Sequence, residues 1–253
     1  MQMNLLLSDK KQSNVIVVLP AYNAEKTLRQ TVREISPGVV SEIILVDDSS
    51  HDNTLALAKE LGLIVHQHPQ NMGYGANQKT CYNLALERGA DIVVMLHPDY
   101  QYDPKLVKYF VEFIADGYFD VMLGSRIRSR REALAGGMPL YKYLSNRMLS
   151  SFENIVTGHN LSEWHTGMRA YKREVLENID YMGNSDDFVF DSQVLFQIVE
   201  KGYRIGEVPV PVRYFSEASM INFQRSLKYG FATVWTALKY LGRKILLELS
   251  RPK

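Results

Sequence analysis

The sequence has little of several features that mark particular protein classes. Its single cysteine, Cys81, cannot form a disulfide within the chain, which favours a reducing compartment. Its net charge is only +1, which argues against nucleic acid as the main partner. No stretch approaches the roughly eighteen uninterrupted apolar residues of a membrane-spanning helix. We therefore expect a cytoplasmic protein, either soluble or peripheral on the inner face of a membrane.

The residues that are present suit one large α/β domain. Of the 253 residues, 46% are hydrophobic and 23% are charged, which is ordinary for a globular protein. Apolar runs alternate with helical patterns through the first half of the chain, which predicts a doubly wound, mostly parallel sheet with flanking helices. The predicted strands lie at residues 15–19, 42–46, 63–66, 91–96 and 121–124.

Three of these strands end in polar residues of the kind that bind ligands. The motif PAYNAE follows the first strand at residues 20–25, DDSSHD follows the second at 47–52, and HPDYQYDP follows the fourth at 97–104. Parallel strands bring their carboxyl ends to one edge of the sheet, where open α/β folds bind ligands. One such turn is explained equally well by helix capping. Three together predict a binding site.

In this order the motifs resemble those of family 2 glycosyltransferases with the GT-A fold. The resemblance is carried by PAYN, VDDSS, HPDYQ and GSR, at residues 20–23, 46–50, 97–101 and 124–126. They are most similar to the branch of dolichol-phosphate mannose synthases and bacterial polyprenyl-phosphate glycosyltransferases. The resemblance implies a GT-A (Rossmann-like) domain at residues 1–219 and an amphipathic helical tail at residues 220–253.

The resemblance implies an inverting transferase that moves a hexose from a UDP- or GDP-linked sugar. The preferred acceptor is a polyprenyl or dolichyl phosphate, and the alternative is a sugar hydroxyl of a growing cell-surface glycan. Departure of a nucleoside diphosphate leaves negative charge that a divalent metal, Mn²⁺ or Mg²⁺, would stabilise. Two other classes stay open. A nucleotidyltransferase would need a glycine- and basic-rich loop after the first strand, which PAYN is not, and a non-catalytic binder would hold the donor without turnover.

The predicted metal ligands are two histidines and one aspartate. Asp99 matches the last acid of the family's Asp-x-Asp motif, which holds the metal. His97 replaces the first acid, and imidazole widens the choice of ion from magnesium towards manganese and other transition metals. His97 could instead donate a hydrogen bond to the diphosphate or ribose. His165 is the third candidate ligand, and an ordinary packing role is the alternative for it.

The resemblance places the donor nucleotide on the three loops and on the start of the third helix. Glycine there lets the backbone approach the nucleotide, and the helix N-terminus favours anionic groups. Helix capping alone would also explain these glycines. The candidate donor-binding residues are Pro20, Ala21, Tyr22, Asn23, Glu25, Asp47, Asp48, Gly73, Asn77, Lys79, Pro98 and Gln101.

Three residues are candidates for catalysis on the acceptor side. Asp191 lies one turn into a predicted helix and is the candidate base for a hydroxyl acceptor. Glu163 is a weaker candidate base. A lipid phosphate is already anionic and would need no strong base. Arg126 begins a basic, glycine-containing loop that lies either beside a phosphate site or in solvent.

The segment at residues 207–219, which resembles the family's late strand and the loop that closes over the diphosphate, supplies three more candidates. Arg213, Ser216 and Ser219 would bind phosphate oxygens, as the resemblance implies. In the polyprenyl branch a lysine typically follows this last serine, whereas Met220 follows here. This departure weakens the lipid-phosphate assignment without excluding it.

The end of the chain has an amphipathic helical pattern. Apolar residues recur at three- and four-residue spacing through residues 221–249, which predicts one helix, or two with a break near Gly230 or Gly242. Its basic residues and Trp235 suit a helix lying on a membrane surface, which a lipid-linked acceptor would need. Packing against the domain or against a second subunit of a homo-oligomer is the alternative.

Overall fold

Seven strands form one sheet within residues 13–127, 129–211 and 223–250, the part of the chain that the computed structural model describes. In chain order they are β1 (Val15–Ala21), β2 (Glu42–Asp47), β3 (Ile64–Gln67), β4 (Ile92–Met95), β5 (Val121–Ser125), β6 (Arg169–Lys172) and β7 (Ile205–Pro209). Across the sheet the order is β3-β2-β1-β4-β6-β5-β7. Strand β6 is antiparallel to both neighbours, and the other pairs are parallel. The predicted mostly parallel sheet is confirmed.

Helices cover both faces of this sheet. They are α1 (Glu25–Glu34), α2 (Thr54–Glu60), α3 (Tyr74–Glu87), α4 (Val107–Ala115), α5 (Arg130–Ala135), α6 (Leu140–Thr157), α7 (Arg173–Asn178), α8 (Phe190–Glu200) and α9 (Phe223–Leu249), with a 3₁₀ turn at Pro104–Leu106 before α4. The predicted alternation of strands and helices in the first half of the chain is confirmed. Strand β6 was not predicted, because two of its four residues are cations and it has no apolar run.

The central strand β1 is buried on both sides, as a parallel strand between two helical layers must be. Ile16 and Val18 face the layer that contains α3 and α8, whereas Val17 and Leu19 face the layer that contains α1 and α4. All four side chains have no solvent exposure. This two-sided core fixes the sheet rigidly, so its carboxyl edge can hold loops in defined positions.

The C-terminal helix α9 is continuous and packs on the domain. Gly230 and Gly242 do not break it, although a helical glycine costs about 1 kcal/mol relative to alanine. Burial of Ala237 and Tyr240 offsets that cost, and the Tyr240 ring lies 5.2 Å from the ring of Phe196 in α8. Among the described helices, none is long and apolar enough to cross a bilayer. The boundary predicted at residue 219 lies outside the described residues.

The pairing register brings the motif loops together at one edge. Ala21, the last residue of β1, is opposite Asp47, the last residue of β2. The backbone N–H of Asp48 donates to the carbonyl of Ala21 at 2.8 Å, and that of Asn23 donates to Ser50 Oγ at 2.8 Å. The predicted juxtaposition of the loops is therefore confirmed at the backbone level.

Candidate active site

Three loops at this edge hold backbone conformations that are rare for residues other than glycine. Asn23, Ser49 and Tyr100 have φ angles of 52°, 62° and 57°. Each lies in a different motif loop, after β1, β2 or β4. Such conformations cost about 1–3 kcal/mol each and cluster at functional sites. Backbone strain therefore marks the same three loops as the sequence motifs.

The two aspartates after β2 are buried and hold neighbouring loops. Asp47 accepts hydrogen bonds from the backbone N–H of Ser50 at 3.2 Å and from its hydroxyl. Asp48 Oδ1 accepts from the N–H of Met72 at 2.8 Å, Oδ2 accepts from the N–H of Gly73 at 3.1 Å, and Oδ1 lies 2.7 Å from His68 Nδ1. Asp48 thus fastens the glycine loop to the sheet edge. Its predicted contact with the nucleotide base stays a prediction.

The glycine loop is packed closely against the segment that precedes α8. Gly73 has a φ of 103°, and a Cβ atom there would lie 2.7 Å from the carbonyl oxygen of Asp186. The N–H of Gly75 donates to the same carbonyl at 2.8 Å. Lys79 Nζ donates to the Asp186 carboxylate at 2.7 Å, and Asn77 Nδ2 donates to the carbonyl of Val46 at 3.1 Å. In this structure the predicted donor-binding residues Gly73, Asn77 and Lys79 hold the start of α3 against β2 and against the segment that precedes α8.

The HPDYQ loop presents His97 and Asp99 at the edge of the sheet. The N–H of Gln101 donates to Asp99 Oδ1 at 3.1 Å, and within the described residues Asp99 Oδ2 accepts no hydrogen bond. Pro98 is buried, and its carbonyl accepts from Thr27 Oγ1 at 2.6 Å. One oxygen of Asp99 is thus available to a ligand.

A glycine is required beside His97. A Cβ atom at Gly167 would lie 2.7 Å from His97 Cδ2. The N–H of Gly167 donates to Tyr102 OH at 2.7 Å, and burial raises the pKa of Tyr102 to about 12. The segment at residues 163–167 is therefore seated directly against the candidate metal ligand.

A buried network connects His97 to Asp191. Tyr74 OH lies 3.1 Å from His97 Nε2 and donates to Asp191 Oδ2 at 2.7 Å. Gln78 Nε2 donates to Asp191 Oδ1 at 3.1 Å, and Arg169 Nη2 lies 3.6 Å from Oδ2. Burial and the negative charge of Asp191 raise the pKa of Tyr74. Burial lowers the pKa of Arg169, but the negative charge of Asp191 keeps the pKa of this guanidinium above its ordinary value. The carboxylate of Asp191 is therefore present at the site, and both of its oxygens accept hydrogen bonds from other side chains.

Arg126 and Glu163 form a pair at the end of β5. The backbone N–H of Arg126 donates to Glu163 Oε2 at 2.6 Å, and its Nε donates to Oε1 at 2.8 Å. Asn146 Nδ2 also donates to Oε1, at 2.8 Å. Burial, followed by the charge of Arg126, lowers the pKa of Lys142 in α6. Arg126 is therefore paired with a buried carboxylate, and its charge reaches Lys142.

His165 occupies a separate buried position. Its Nδ1 lies 2.5 Å from Tyr229 OH in α9, and its Nε2 lies 3.1 Å from Glu153 Oε2 in α6. Within the part of the chain that the structure describes, no three His, Cys, Asp or Glu side chains form a group that could hold a metal ion. The predicted set of His97, Asp99 and His165 is therefore not assembled, because both ring nitrogens of His165 face other side chains.

The remaining predicted residues differ in their surroundings. Pro20 is buried in β1, whereas the ring of Tyr22 is 48% exposed and accessible to a stacking partner. Glu25 Oε1 accepts from Asn53 Nδ2 at 2.8 Å. Gln101 is buried. Arg213, Ser216 and Ser219 lie outside the described residues, so their roles stay predictions.

Sequence reasoning missed three residues of the site. Tyr74 stands between two glycines of the predicted donor loop, and Arg169 lies four residues after the predicted ligand His165. Both positions could have been found from those motifs. Lys142 lies in a helix of unremarkable sequence, and its approach to Arg126 has no local signal.

The seven-stranded sheet, with helices on both faces and motif loops at its carboxyl edge, is a GT-A fold. The chain belongs to Glycosyl transferase family 2, whose sequence profile matches residues 16–180. This membership removes the nucleotidyltransferase interpretation. A solved structure similar to it is glucosyl-3-phosphoglycerate synthase from Mycobacterium tuberculosis in complex with Mn²⁺ and UDP-glucose, with a TM-score of 0.72 and 23% identity, covering 92% of this chain and 80% of that one.

Two characterised relatives are similar over most of their length. The UDP-N-acetylglucosamine–dolichyl-phosphate N-acetylglucosaminyltransferase of Methanococcus voltae is 29% identical, over 92% of this chain and 98% of the relative. The dolichyl-phosphate hexose transferase of Haloferax volcanii is 30% identical, over 79% of this chain and 83% of the relative. Both relatives are named for transfer to dolichyl phosphate.

Proposed function

We propose that this protein transfers a hexose from a nucleoside diphosphate sugar to a polyprenyl phosphate. Relatives named for dolichyl-phosphate transfer support the acceptor class. A nucleotide-sugar donor is supported by the family and by the strained loops at the sheet edge. The donor sugar and nucleotide remain to be measured.

The acceptor assignment is carried by one observation, that both candidate bases already accept hydrogen bonds from other side chains. Transfer to a sugar hydroxyl requires a group that accepts the hydroxyl proton. Asp191 already accepts from Tyr74 and Gln78, and Glu163 already accepts from Arg126 and Asn146. A phosphate oxygen is anionic and attacks without such a base. A phosphate acceptor would therefore leave these contacts intact, which favours it over a hydroxyl acceptor.

The same region offers cations for the acceptor phosphate. The Arg126 side chain is partly exposed at 16%, and Lys142 lies close enough for its pKa to be lowered by that guanidinium. Arginine and lysine are the usual phosphate-binding side chains, because they donate several charge-assisted hydrogen bonds. We assign the acceptor phosphate to this pair.

The divalent metal belongs beside Asp99 and His97. Asp99 has one carboxylate oxygen without a partner among the described residues, and a carboxylate with an imidazole is an acceptable donor set for Mn²⁺. Mg²⁺ and related ions are commonly held by one or two carboxylates together with substrate phosphates. The metal would neutralise charge on the leaving diphosphate. Tyr74, through its contact with His97 Nε2, would orient the imidazole.

We place this reaction at a membrane surface. Polyprenyl chains reside in the bilayer, and α6 and α9 carry large apolar side chains turned away from the domain. Met148 is 70% exposed, Phe231 76% and Trp235 60%. Amphipathic helices with such residues bind the interface between lipid headgroups and acyl chains.

The test is a transfer assay with purified protein. We would combine UDP-glucose, UDP-N-acetylglucosamine or GDP-mannose with either a polyprenyl phosphate in vesicles or a soluble glycoside, in Mn²⁺, Mg²⁺ or a chelator. The expected result is a glycolipid that extracts into organic solvent, formed with one donor and lost with the chelator. Transfer to the glycoside alone would contradict the proposal. Donor binding without any transfer would favour a non-catalytic binder.

A further inference from the structure

A buried polar cluster lies between the C-terminal helix and the acceptor side of the site. It comprises Glu153 of α6, His165 and Tyr229 of α9, in the order carboxylate, imidazole, phenol. His165 Nδ1 is 2.5 Å from Tyr229 OH, and its Nε2 is 3.1 Å from Glu153. The Glu153 side chain has no solvent exposure, and that of His165 is 8% exposed. Glu153 and His165 are thus buried and Tyr229 is half-buried, so the cluster acts by holding other groups.

Such a cluster is costly for the fold. A buried carboxylate loses several kcal/mol of hydration unless it is paired. Neither oxygen of Glu153 accepts a well-aligned hydrogen bond from the described residues, although His165 Nε2 lies 3.1 Å from Oε2. Burial, followed by the charge of Glu153, raises the pKa of Tyr229, whose hydroxyl lies against His165 Nδ1.

The cluster is connected to the acceptor-binding arginine by one peptide carbonyl. The carbonyl oxygen of His165 accepts a hydrogen bond from Arg126 Nη2 at 2.5 Å. The same Nη2 and the adjacent Nε of this guanidinium also donate to Glu163 Oε1. A shift of the His165 ring would therefore move the carbonyl that accepts from Nη2 of the Arg126 guanidinium.

A second contact connects α9 to the site. Tyr229 OH lies 3.4 Å from Ser192 Oγ, and Ser192 is fully buried directly after Asp191. Thr233, one turn further along α9, is also fully buried. The helix thus touches the site through its polar buried face, while its apolar face is turned outwards.

We propose that Tyr229 and His165 are positioning residues for Arg126, so that the docked helix α9 completes the acceptor site. This inference rests on the proposed function, because it assigns Arg126 to the acceptor phosphate. It implies that the helix proposed to meet the membrane also controls the geometry of the cation that meets the lipid phosphate.

The test compares two Tyr→Phe variants of α9. Tyr229→Phe removes the hydroxyl that reaches His165, and Tyr240→Phe is the matched control, a buried tyrosine on the same helix that packs on Phe196. We expect Tyr229→Phe to raise the KM for polyprenyl phosphate about tenfold, the effect of one lost hydrogen bond, with little change in kcat. Tyr240→Phe should leave this KM unchanged. Stabilisation of both variants by the donor nucleotide should equal that of wild type.

A double-mutant cycle identifies the route. Substitutions that act through one shared group have non-additive effects. In an Arg126→Ala background, Tyr229→Phe should therefore cause no further loss of kcat/KM for the acceptor. His165→Asn keeps a hydrogen-bond acceptor near the position of Nδ1 and should be less impaired than His165→Ala. Additive losses, or a Tyr229→Phe variant with lower thermal stability but unchanged acceptor KM, would overturn the inference. Wild-type protein that does not use polyprenyl phosphate would instead contradict the proposed function.

Discussion

Single residues at the sheet edge combine an unfavourable backbone with a chemical role. Asn23, Ser49 and Tyr100 hold positive φ angles, and the last of these lies between Asp99 and Gln101. The strain at Tyr100 is stabilised by its hydroxyl, which donates to Glu34 in α1 at 2.7 Å. The loop therefore presents Asp99 in one orientation rather than several.

Replacing Asp99 tests the metal assignment. We expect Asp99→Ala to abolish transfer and to remove the metal-dependent part of donor binding, because it deletes the carboxylate proposed to hold the ion. The measurement is thermal unfolding with nucleotide and Mn²⁺ or Mg²⁺. A ligand at one hundred times its Kd stabilises the wild type by about 2.7 kcal/mol.

The matched control is Asp103→Ala in the same loop. Asp103 Oδ1 accepts from the N–H of Lys105 at 3.0 Å and caps the short 3₁₀ turn. Losing this cap costs about 1 kcal/mol of stability, without loss of donor binding. Near-normal turnover by Asp99→Ala would refute the metal assignment.

At the level of strands and helices, the far edge of the sheet is fastened by one ion pair. Asp120 precedes β5 and Arg204 precedes β7. The carboxylate of Asp120 accepts from the backbone N–H and Nε of Arg204 at 3.0 Å and from Nη2 at 2.9 Å. These hydrogen bonds lower the pKa of Asp120. The two parallel strands therefore start in register, with Val121 opposite Ile205.

This pair predicts a pH dependence of stability. The pKa of Asp120 is lower in the folded than in the unfolded state. Its contribution to the free energy of unfolding is therefore fully present at pH values above the unfolded-state pKa of about 3.9. That contribution is lost as the pH falls through the lower pKa of the folded state. Arg204 is 56% exposed, so solvent screening limits the contribution to about 1 kcal/mol. Asp120→Asn should lower the Tm by about 2–4 °C at pH 7 and less at pH 3.

A matched control is Glu60→Gln, which breaks the exposed pair with Arg29, where the side chains are 65% and 56% exposed. Exposed pairs contribute little, so the control should leave the Tm at pH 7 unchanged. An Asp120→Asn variant with the same loss of Tm at pH 3 as at pH 7 would contradict the assignment.

For the whole molecule, the distribution of apolar side chains defines an orientation. The inner face of α9 buries Ala237 and Tyr240 in the same core layer as α3 and α8, whereas its outer face exposes Phe231 and Trp235. One side of this helix therefore packs on the domain, and the predicted membrane contact stays a prediction for the other side, which is uncovered within the described structure.

Removing the outer apolar residues tests the membrane proposal. The double variant Phe231→Ser, Trp235→Ser should retain the wild-type Tm, because both side chains are exposed. Its affinity for vesicles of anionic phospholipid should fall about tenfold or more, given the apolar area that each ring would bury. Tyr118→Ser is the control, since Tyr118 is 64% exposed and follows α4. Equal vesicle binding by wild type and double variant would exclude this face as the membrane contact.

The sheet and its edge could be predicted from local patterns. Apolar runs such as residues 15–19 and 91–96 must be buried on both faces, and each ends in a polar motif, so their placement follows from strand geometry alone. The antiparallel strand β6 could not be predicted in this way. Arg169 is buried there with three backbone carbonyls accepting from its guanidinium and with the carboxylate of Asp191, from α8, close by.

The motifs after the strands were sufficient to place Asp47, Asp99 and Asn23 at one edge of the sheet, because a chain that alternates strand and helix brings the carboxyl ends of its strands together. Only the tertiary structure decided which of these side chains hydrogen-bond to other residues of the protein. It also decided that His165 faces Tyr229 and Glu153 rather than a metal. Hydrogen bonds between residues sixty or more positions apart leave no periodic signal in the sequence, since they depend on how helices dock and not on how any one segment folds.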